Sequence, residues 1–167
     1  IVVRDVIRVV TPGTLTESSM LDDGENNYIC SIFYDEQAKS CAVASADVST
    51  GKAALSVFEG KDLEAGIINE LSRCRPAEVI FPDSFLSLKN VADFIKVRLD
   101  CAVTMRDAEC FDPSRKRTMA AAVFGAKNVA ELGLSEDGAD CAAVCGLFDY
   151  INDTQKTSVS RFTSLEI

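Results

Sequence analysis

The order of strand-like and helix-like segments is the feature that most constrains the fold of this chain. Three β-rich segments, 28–35, 40–50 and 53–59, follow one another with only short polar turns between them. Consecutive strands joined by such turns form an antiparallel meander. After residue 60 the pattern changes, and helical stripes alternate with short apolar strands. The sequence therefore predicts a mixed sheet covered by helices, in which the helix-linked strands cross over right-handedly.

The later elements are bounded by apolar spacing and by proline. Pro76 ends the first helical stripe, and Pro113 opens a later one. The predicted elements after the meander are helix 62–74, strand 77–82, helix 84–99, strand 101–107, helix 113–125, and helix 135–155 with Ser135 as its N-cap. This order, β-β-β-α-β-α-β-α, makes the chain an α/β protein and is shared with the ribonuclease H-like fold. One fold hosts many functions, so function has to be argued from sites.

The two ends of the chain differ from its middle. Residues 2–10 are rich in β-branched side chains and predict a strand, which the Pro-Gly pair at 12–13 stops. The chain starts in this apolar segment without an initiator methionine, so we expect a piece of a larger protein. The predicted division is the end of a preceding domain over 1–15, the main domain over 16–155, and the start of a following domain over 156–167.

The charge balance bears on possible partners. The chain has 26 acidic and 17 basic side chains, which gives a net charge of −9. Domains whose own surface grips a phosphate backbone are usually basic, so little or no direct DNA binding is expected. No apolar run approaches the roughly 20 residues of a membrane span, so no membrane contact is expected.

Cysteine is the other unusual feature of the composition. The chain has seven cysteines, no CxxC pair and no histidine. Cys141 and Cys145 lie four residues apart on a predicted helix, but the sequence offers no credible third and fourth zinc ligand. Several cysteines lie inside apolar runs, where a free thiol packs as a small hydrophobic group. We expect reduced core cysteines, no bound metal and a cytoplasmic location.

Motifs for nucleotide binding and for nucleophilic catalysis are incomplete. Gly51 and Lys52 match the end of a phosphate-binding loop, but Ala46 stands where its first glycine should be and Ala53 where its hydroxyl should be. Without a histidine, a Ser-His or Cys-His pair cannot form within this chain.

The element order leaves one enzymatic alternative, a metal-dependent nuclease. Enzymes of the ribonuclease H type hold two Mg²⁺ ions with carboxylates from neighbouring strands and the first helix. The candidate ligands are Asp35, Asp47, Glu70 and Asp83. Asp35 and Asp47 adjoin turns, where a carboxylate also bonds to backbone. Glu70 can pair with Arg73, and Asp83 precedes a helix, where the helix dipole favours an acid.

Four stretches together resemble MutS-type DNA mismatch repair proteins. They are “RDVIRVVTPGTLTESSMLDD” with “NNY” shortly after it, then “ADVSTGK”, “ELSRCRPAEVIFP” and “DYINDTQKTSVSRFTSLEI”. The stretches follow the family's order at fitting distances and cover nearly the whole chain. The chain is thereby similar to the connector domain of that family, entered from the mismatch-binding domain and leading into the lever and core.

The resemblance implies a specific function. The connector of MutS proteins is similar to ribonuclease H in fold but is not a nuclease. It couples mismatch recognition to the ATPase and contributes to the surface that recruits MutL. The implied partners are thus a MutL-type protein and the neighbouring MutS domains. The resemblance implies neither catalysis nor a cofactor for this piece, because ATP, Mg²⁺ and mismatched DNA belong to the parent protein's other domains.

One helix offers candidate contacts for the MutL-type partner. The candidates are Arg115, Lys116, Arg117, Thr118 and Met119. A basic stretch beside a methionine, on an otherwise acidic domain, is typical of a docking patch. Two alternatives stay open, namely a merely solvated helix face and a plain structural spacer without a partner of its own.

Overall fold

The computed structural model describes residues 28–47, 51–99, 101–155 and 164–166. The strands are β1 (Tyr28–Asp35), β2 (Ser40–Asp47), β3 (Lys52–Glu59), β4 (Glu78–Phe81), β5 (Ala102–Met105) and β6 (Ser164–Glu166). The α-helices are α1 (Leu63–Cys74), α2 (Lys89–Val97), α3 (Pro113–Val123) and α4 (Ala139–Gln155). Short 3₁₀ turns cover Asp83–Ser87, Ala108–Phe111 and Val129–Leu132.

The six described strands form one mixed sheet in the order β5-β4-β1-β2-β3-β6. The first three strands make the antiparallel meander that the sequence predicts, with Tyr28 opposite Asp47 and Asp47 opposite Lys52. β4 pairs in parallel with β1, and β5 pairs in parallel with β4. The short β6 pairs in parallel with β3 at the other edge. The predicted mixed α/β sheet is confirmed.

Helices cover both faces of the sheet. Alternate residues of a strand point to opposite faces, so Ile29 packs with α3 and α4 whereas Cys30 and Ile32 pack with α1 and α2. β2 presents only small side chains to α4, namely Ala42, Ala44 and Ala46. These alanines leave room for α4 to lie close to the sheet across β1 and β2.

A glycine in α4 allows a second close approach. A Cβ atom on Gly146 would lie 2.2 Å from two ring carbons of Phe111. Phe111, which ends a 3₁₀ turn, is only 1% exposed. The ring therefore packs directly against the helix backbone and ties the segment after β5 to α4.

The predicted helix 84–99 is wrong as a single element. The structure has a 3₁₀ turn, Asp83–Ser87, followed by a separate α2 that starts at Lys89. The Ser87 hydroxyl donates to the Ser84 carbonyl at 2.9 Å. The Leu88 N–H donates to the Phe85 carbonyl, three residues back, rather than to a carbonyl four residues back as in an α-helix. Serine side chains compete in this way with the backbone bonds of a helix, which explains the break.

The predicted helix 135–155 starts later than expected, at Ala139, and Ser135 is not its N-cap. The Ser135 N–H and hydroxyl both donate to the carboxylate of Asp140. The Gly138 carbonyl accepts the N–H of Ala142 in the first turn. Asp140 thus holds the loop before the helix, and the predicted N-cap at Ser135 is wrong.

The other predicted elements agree with the structure to within a few residues. Strand 40–50 is described as far as Asp47, and strand 101–107 is shorter, at Ala102–Met105. The predicted strand 2–10 lies outside the described residues, and the predicted domain boundaries remain predictions. No α-helix in the described ranges is long and apolar enough to cross a membrane.

Candidate functional site

α3 carries the basic residues that the sequence singles out, and local sequence explains where it begins. Pro113 occupies the first turn, where its missing N–H costs nothing. Asp112 is the N-cap, and its carboxylate accepts from the Ser114 N–H at 3.0 Å and from the Ser114 hydroxyl at 2.8 Å. These bonds lower the pKa of Asp112. The helix ends at Val123, before Gly125 takes a φ of +72°.

The three basic side chains of α3 all have partners within the domain. Arg115 lies 3.6 Å from Asp112 and 3.7 Å from Glu109, with 62% of its side chain exposed. Arg117 donates to the Glu136 carbonyl at 3.4 Å. Lys116 Nζ lies 2.7 Å from Asp149 Oδ1 on α4. The basic run is therefore not one uniform positive surface, and Arg115 is its most exposed cation.

The last two candidates differ from each other in burial. Thr118 is exposed on α3, and Met119 is half-buried against the hydrophobic cluster on the α4 side. Met119 therefore contributes to packing as well as to the surface.

Asp149 is the centre of a charged network that the sequence did not reveal. Besides Lys116, it binds Arg106 Nη1 at 3.3 Å. Arg106 follows β5 directly and also lies 3.5 Å from Asp153. The Asp149 carboxylate therefore joins α3, α4 and the chain after β5.

The network continues into the interior through an aromatic ring. The Arg106 guanidinium lies 5.0 Å from the ring centre of Tyr150, a cation–π contact. The Tyr150 hydroxyl donates to Oε2 of Glu78, which is only 1% exposed at the start of β4. A continuous series of contacts thus runs from the α3 surface to the buried start of β4.

A surface hollow of about 400 Å³ lies beside α3 and is lined by Glu109, Cys110, Arg115 and Lys116. The hydrogen bond to Asp149 raises the pKa of Lys116. Burial, followed by the hydrogen bond to Asp149, raises the pKa of the Cys110 thiol. The hollow is therefore lined by two basic side chains, one acidic side chain and a thiol whose pKa is raised.

We expect the Lys116–Asp149 pair to make the free energy of unfolding depend on pH in the alkaline range. Because the pKa of Lys116 is raised by folding, its contribution is present below the unfolded value of about 10.4 and is lost as pH rises through the folded value. Urea unfolding at neutral pH should show Lys116→Met to be less stable than the parent. As the pH rises through the folded pKa of Lys116, that difference should shrink, whereas a constant difference would contradict the pairing.

The four carboxylates proposed as metal ligands do not meet. Asp35 and Asp47 lie at opposite ends of the β1–β2 pair. The Asp35 carboxylate accepts from the N–H groups of Gln37 and Ala38 in a turn. Glu70 pairs with Arg73, and Asp83 opens a 3₁₀ turn. Among the described residues no cluster of three or more His, Cys, Asp or Glu is arranged to hold a metal, so the nuclease alternative has no support.

The cysteines are free thiols, and most of them belong to the core as predicted. The buried ones are Cys30, Cys41, Cys74, Cys141 and Cys145, whereas Cys101 and Cys110 are half-exposed. Burial raises the pKa of Cys41.

Comparison with known proteins assigns the family. The family model described as MutS domain II matches residues 27–163, which include β1–β5 and α1–α4. The chain belongs to the MutS domain II family. The predicted resemblance is confirmed, and the candidate helix α3 and its network lie within the matched MutS domain II region.

Curated relatives of this MutS domain II chain agree with that assignment. The chain is 35% identical over its full length to the DNA mismatch repair protein MutS of Clostridium perfringens, and covers 17% of that protein. It is 30% identical over its full length to the MutS proteins of Alkaliphilus oremlandii and Dehalococcoides mccartyi, and covers 19% and 18% of them. The chain thus spans less than a fifth of the relatives that it matches.

Sequence reasoning found the α3 cations of this MutS domain II but missed Arg106, Asp149, Tyr150 and Glu78. A signal was present for Glu78, because it interrupts the otherwise apolar segment 77–82. A carboxyl group in such a segment predicts a buried partner. Nothing local in the sequence pairs Asp149 with Lys116, since the two lie on different helices.

Proposed function

We propose that this domain is the connector of a MutS-type mismatch repair protein, and that it couples mismatch recognition to the ATPase without catalysing a reaction itself. The match to MutS domain II over residues 27–163 carries this proposal. ATP, Mg²⁺ and mismatched DNA would be bound by other parts of the parent protein. The chain's net charge of −9 fits a protein that does not bind DNA with the surface of this domain.

The proposed fold is ribonuclease H-like. Its support is the sheet order β3-β2-β1-β4-β5, with an antiparallel meander followed by two parallel strands. The carboxylates Asp35 and Asp47 lie too far apart to share a metal in such a fold. We therefore propose that this fold acts as a rigid connecting block and does not cleave nucleic acid.

Rigidity is what a coupling module needs, because a floppy domain cannot pass a movement between its neighbours. Two hydrophobic clusters pack helices onto both faces of the sheet. The Asp149 network adds charged contacts between α3, α4 and the segment after β5. A displacement applied to α3 would therefore be shared with the sheet through α4.

We propose further that α3 contributes to the surface for a MutL-type partner, through Arg115, Lys116, Arg117, Thr118 and Met119. Arg115 and Thr118 are exposed, and Arg115 lines the surface hollow. Charges at the exposed rim of an interface mainly speed association with a partner of complementary charge and select that partner. An acidic patch on the partner would fit these cations.

Charge reversal tests the docking proposal. We expect the Arg115→Glu, Arg117→Glu double variant to weaken binding of the MutL-type protein at least tenfold at low salt, with a smaller effect at high salt. The matched control is Lys89→Glu, Lys96→Glu, which reverses two exposed lysines on α2 across the sheet. Equal affinity of both variants and the parent would remove α3 from the interface and favour the spacer alternative.

A further inference from the structure

Two thiols meet on the sheet face that α1 and α2 cover. Cys30 lies within β1 and is fully buried, and Cys74 is the last residue of α1 and is 9% exposed. Their Sγ atoms are 3.6 Å apart, in hydrogen-bonding contact. A disulfide needs about 2.05 Å between sulfurs, so a shift of roughly 1.5 Å would bring them into bonding range. We propose that Cys30 and Cys74 form a redox-sensitive pair, which a small-molecule disulfide converts to an intramolecular disulfide.

The position of Cys74 gives this pair the freedom that the bond requires. The next residue, Arg75, has left-handed backbone with a φ of +49° and ends the helix. The last turn of a helix adjusts more readily than its middle, because fewer backbone bonds hold it. A shift of Cys74 toward Cys30 would therefore fall on the end of α1 rather than on the central strand.

A second thiol pair lacks that freedom and serves as an internal comparison. Cys141 and Cys145 have Sγ atoms 3.8 Å apart, but both lie in the same helix, α4. Residues at this spacing keep their Cβ atoms about 5–6 Å apart, whereas a disulfide needs roughly 3.5–4.5 Å. Oxidation of this pair would have to distort the helix.

The difference in exposure between Cys30 and Cys74 assigns the order of attack. Cys74 is 9% exposed and lies at the end of α1, whereas Cys30 is fully buried, so a small-molecule disulfide reaches Cys74 first. The Cys74 thiolate attacks one sulfur of oxidised glutathione and displaces one glutathione thiolate. Cys30 then gives up its proton and attacks Cys74 Sγ, which displaces the second glutathione thiolate. The two protein thiols are oxidised by two electrons, and one glutathione disulfide is reduced to two glutathione thiols.

The bond would restrain the meander and α1 together. Cys30 and Cys74 are separated by 44 positions, and the segment between them contains β2, β3 and nearly all of α1. Closing a loop of this length restricts the unfolded chain. The oxidised form should therefore unfold at a temperature higher by roughly 5 °C or more.

The test is to equilibrate the folded 167-residue chain with oxidised glutathione, quench with acid, block free thiols and map the peptides by mass spectrometry. We expect a linked Cys30–Cys74 peptide pair, lighter by two hydrogen atoms than the separate peptides. We also expect a higher unfolding midpoint that dithiothreitol reverses.

Matched serine variants separate this pair from the other thiols. Cys74→Ser should lose both the linked peptide and the rise in midpoint, and Cys141→Ser should keep both. If Cys74→Ser fails to fold, the peptide map of the parent chain still shows whether the Cys30–Cys74 disulfide forms. Free Cys30 and Cys74 after equilibration, a glutathione adduct confined to Cys101 or Cys110, or a Cys141–Cys145 link alone would each overturn the proposal.

Discussion

Replacing Gly146 with alanine is expected to destabilise the folded chain by roughly 2 kcal/mol, as overpacking of a closed core does. The added Cβ would meet the Phe111 ring at 2.2 Å. Phe111 is 1% exposed and packed in the hydrophobic cluster on the α4 side of the sheet, so the ring cannot move away into solvent. This cost exceeds the gain of up to about 1 kcal/mol that alanine brings to a helix. Equilibrium unfolding in urea would measure the difference.

Gly66 in α1 provides the matched control. Its added Cβ would also meet a phenylalanine ring, that of Phe58, at 2.5 Å. Phe58 is half-exposed, and its ring can swing toward solvent. We therefore expect Gly66→Ala to change stability by less than about 1 kcal/mol, in either direction. If both variants were equally stable, the closed packing of Phe111 against α4 would be wrong.

Replacing Tyr150 with phenylalanine should cost about 1–2 kcal/mol of stability, because it removes one buried hydrogen bond. Glu78 is 1% exposed, and Tyr150 donates to its carboxyl group. Phenylalanine keeps the ring, and with it the contact to the Arg106 guanidinium at 5.0 Å. The variant therefore tests the hydroxyl group alone. The change in the free energy of unfolding would be measured by urea denaturation.

A double-mutant cycle with Glu78→Gln checks that the two groups act on each other. The double variant should lose less stability than the two single variants summed, by roughly 0.5–3 kcal/mol, as is typical for residues in contact. Strict additivity would contradict the hydrogen bond between Tyr150 and Glu78.

The element order was predictable because it depends on local patterns. The alternation of β1 to β3 and the stripe of Leu63, Ile67 and Leu71 in α1 can be recognised without any knowledge of the tertiary structure. The errors arose where a side chain competes with the backbone. Ser87 breaks the predicted helix 84–99, and Asp140 displaces the start of α4. Such bonds depend on rotamers that periodicity does not encode.

The candidate site was predictable only in part. The basic residues of α3 are adjacent in sequence, so a charge count finds them. Their partners are not adjacent, since Asp149 lies on α4 and Arg106 follows β5. Which cations remain available to a partner is decided by these pairings, and the pairings follow from the tertiary fold.

The most direct test of our proposed function is a calorimetric titration of the purified chain with the ATPase fragment of a MutL-type protein. Duplex DNA with Mg²⁺ serves as a parallel control for binding and for cleavage. The proposed connector should bind the MutL-type fragment saturably and leave the DNA intact. Absence of binding would contradict the recruiting surface and leave a structural spacer. Metal-dependent cleavage of the DNA would contradict the non-catalytic connector altogether.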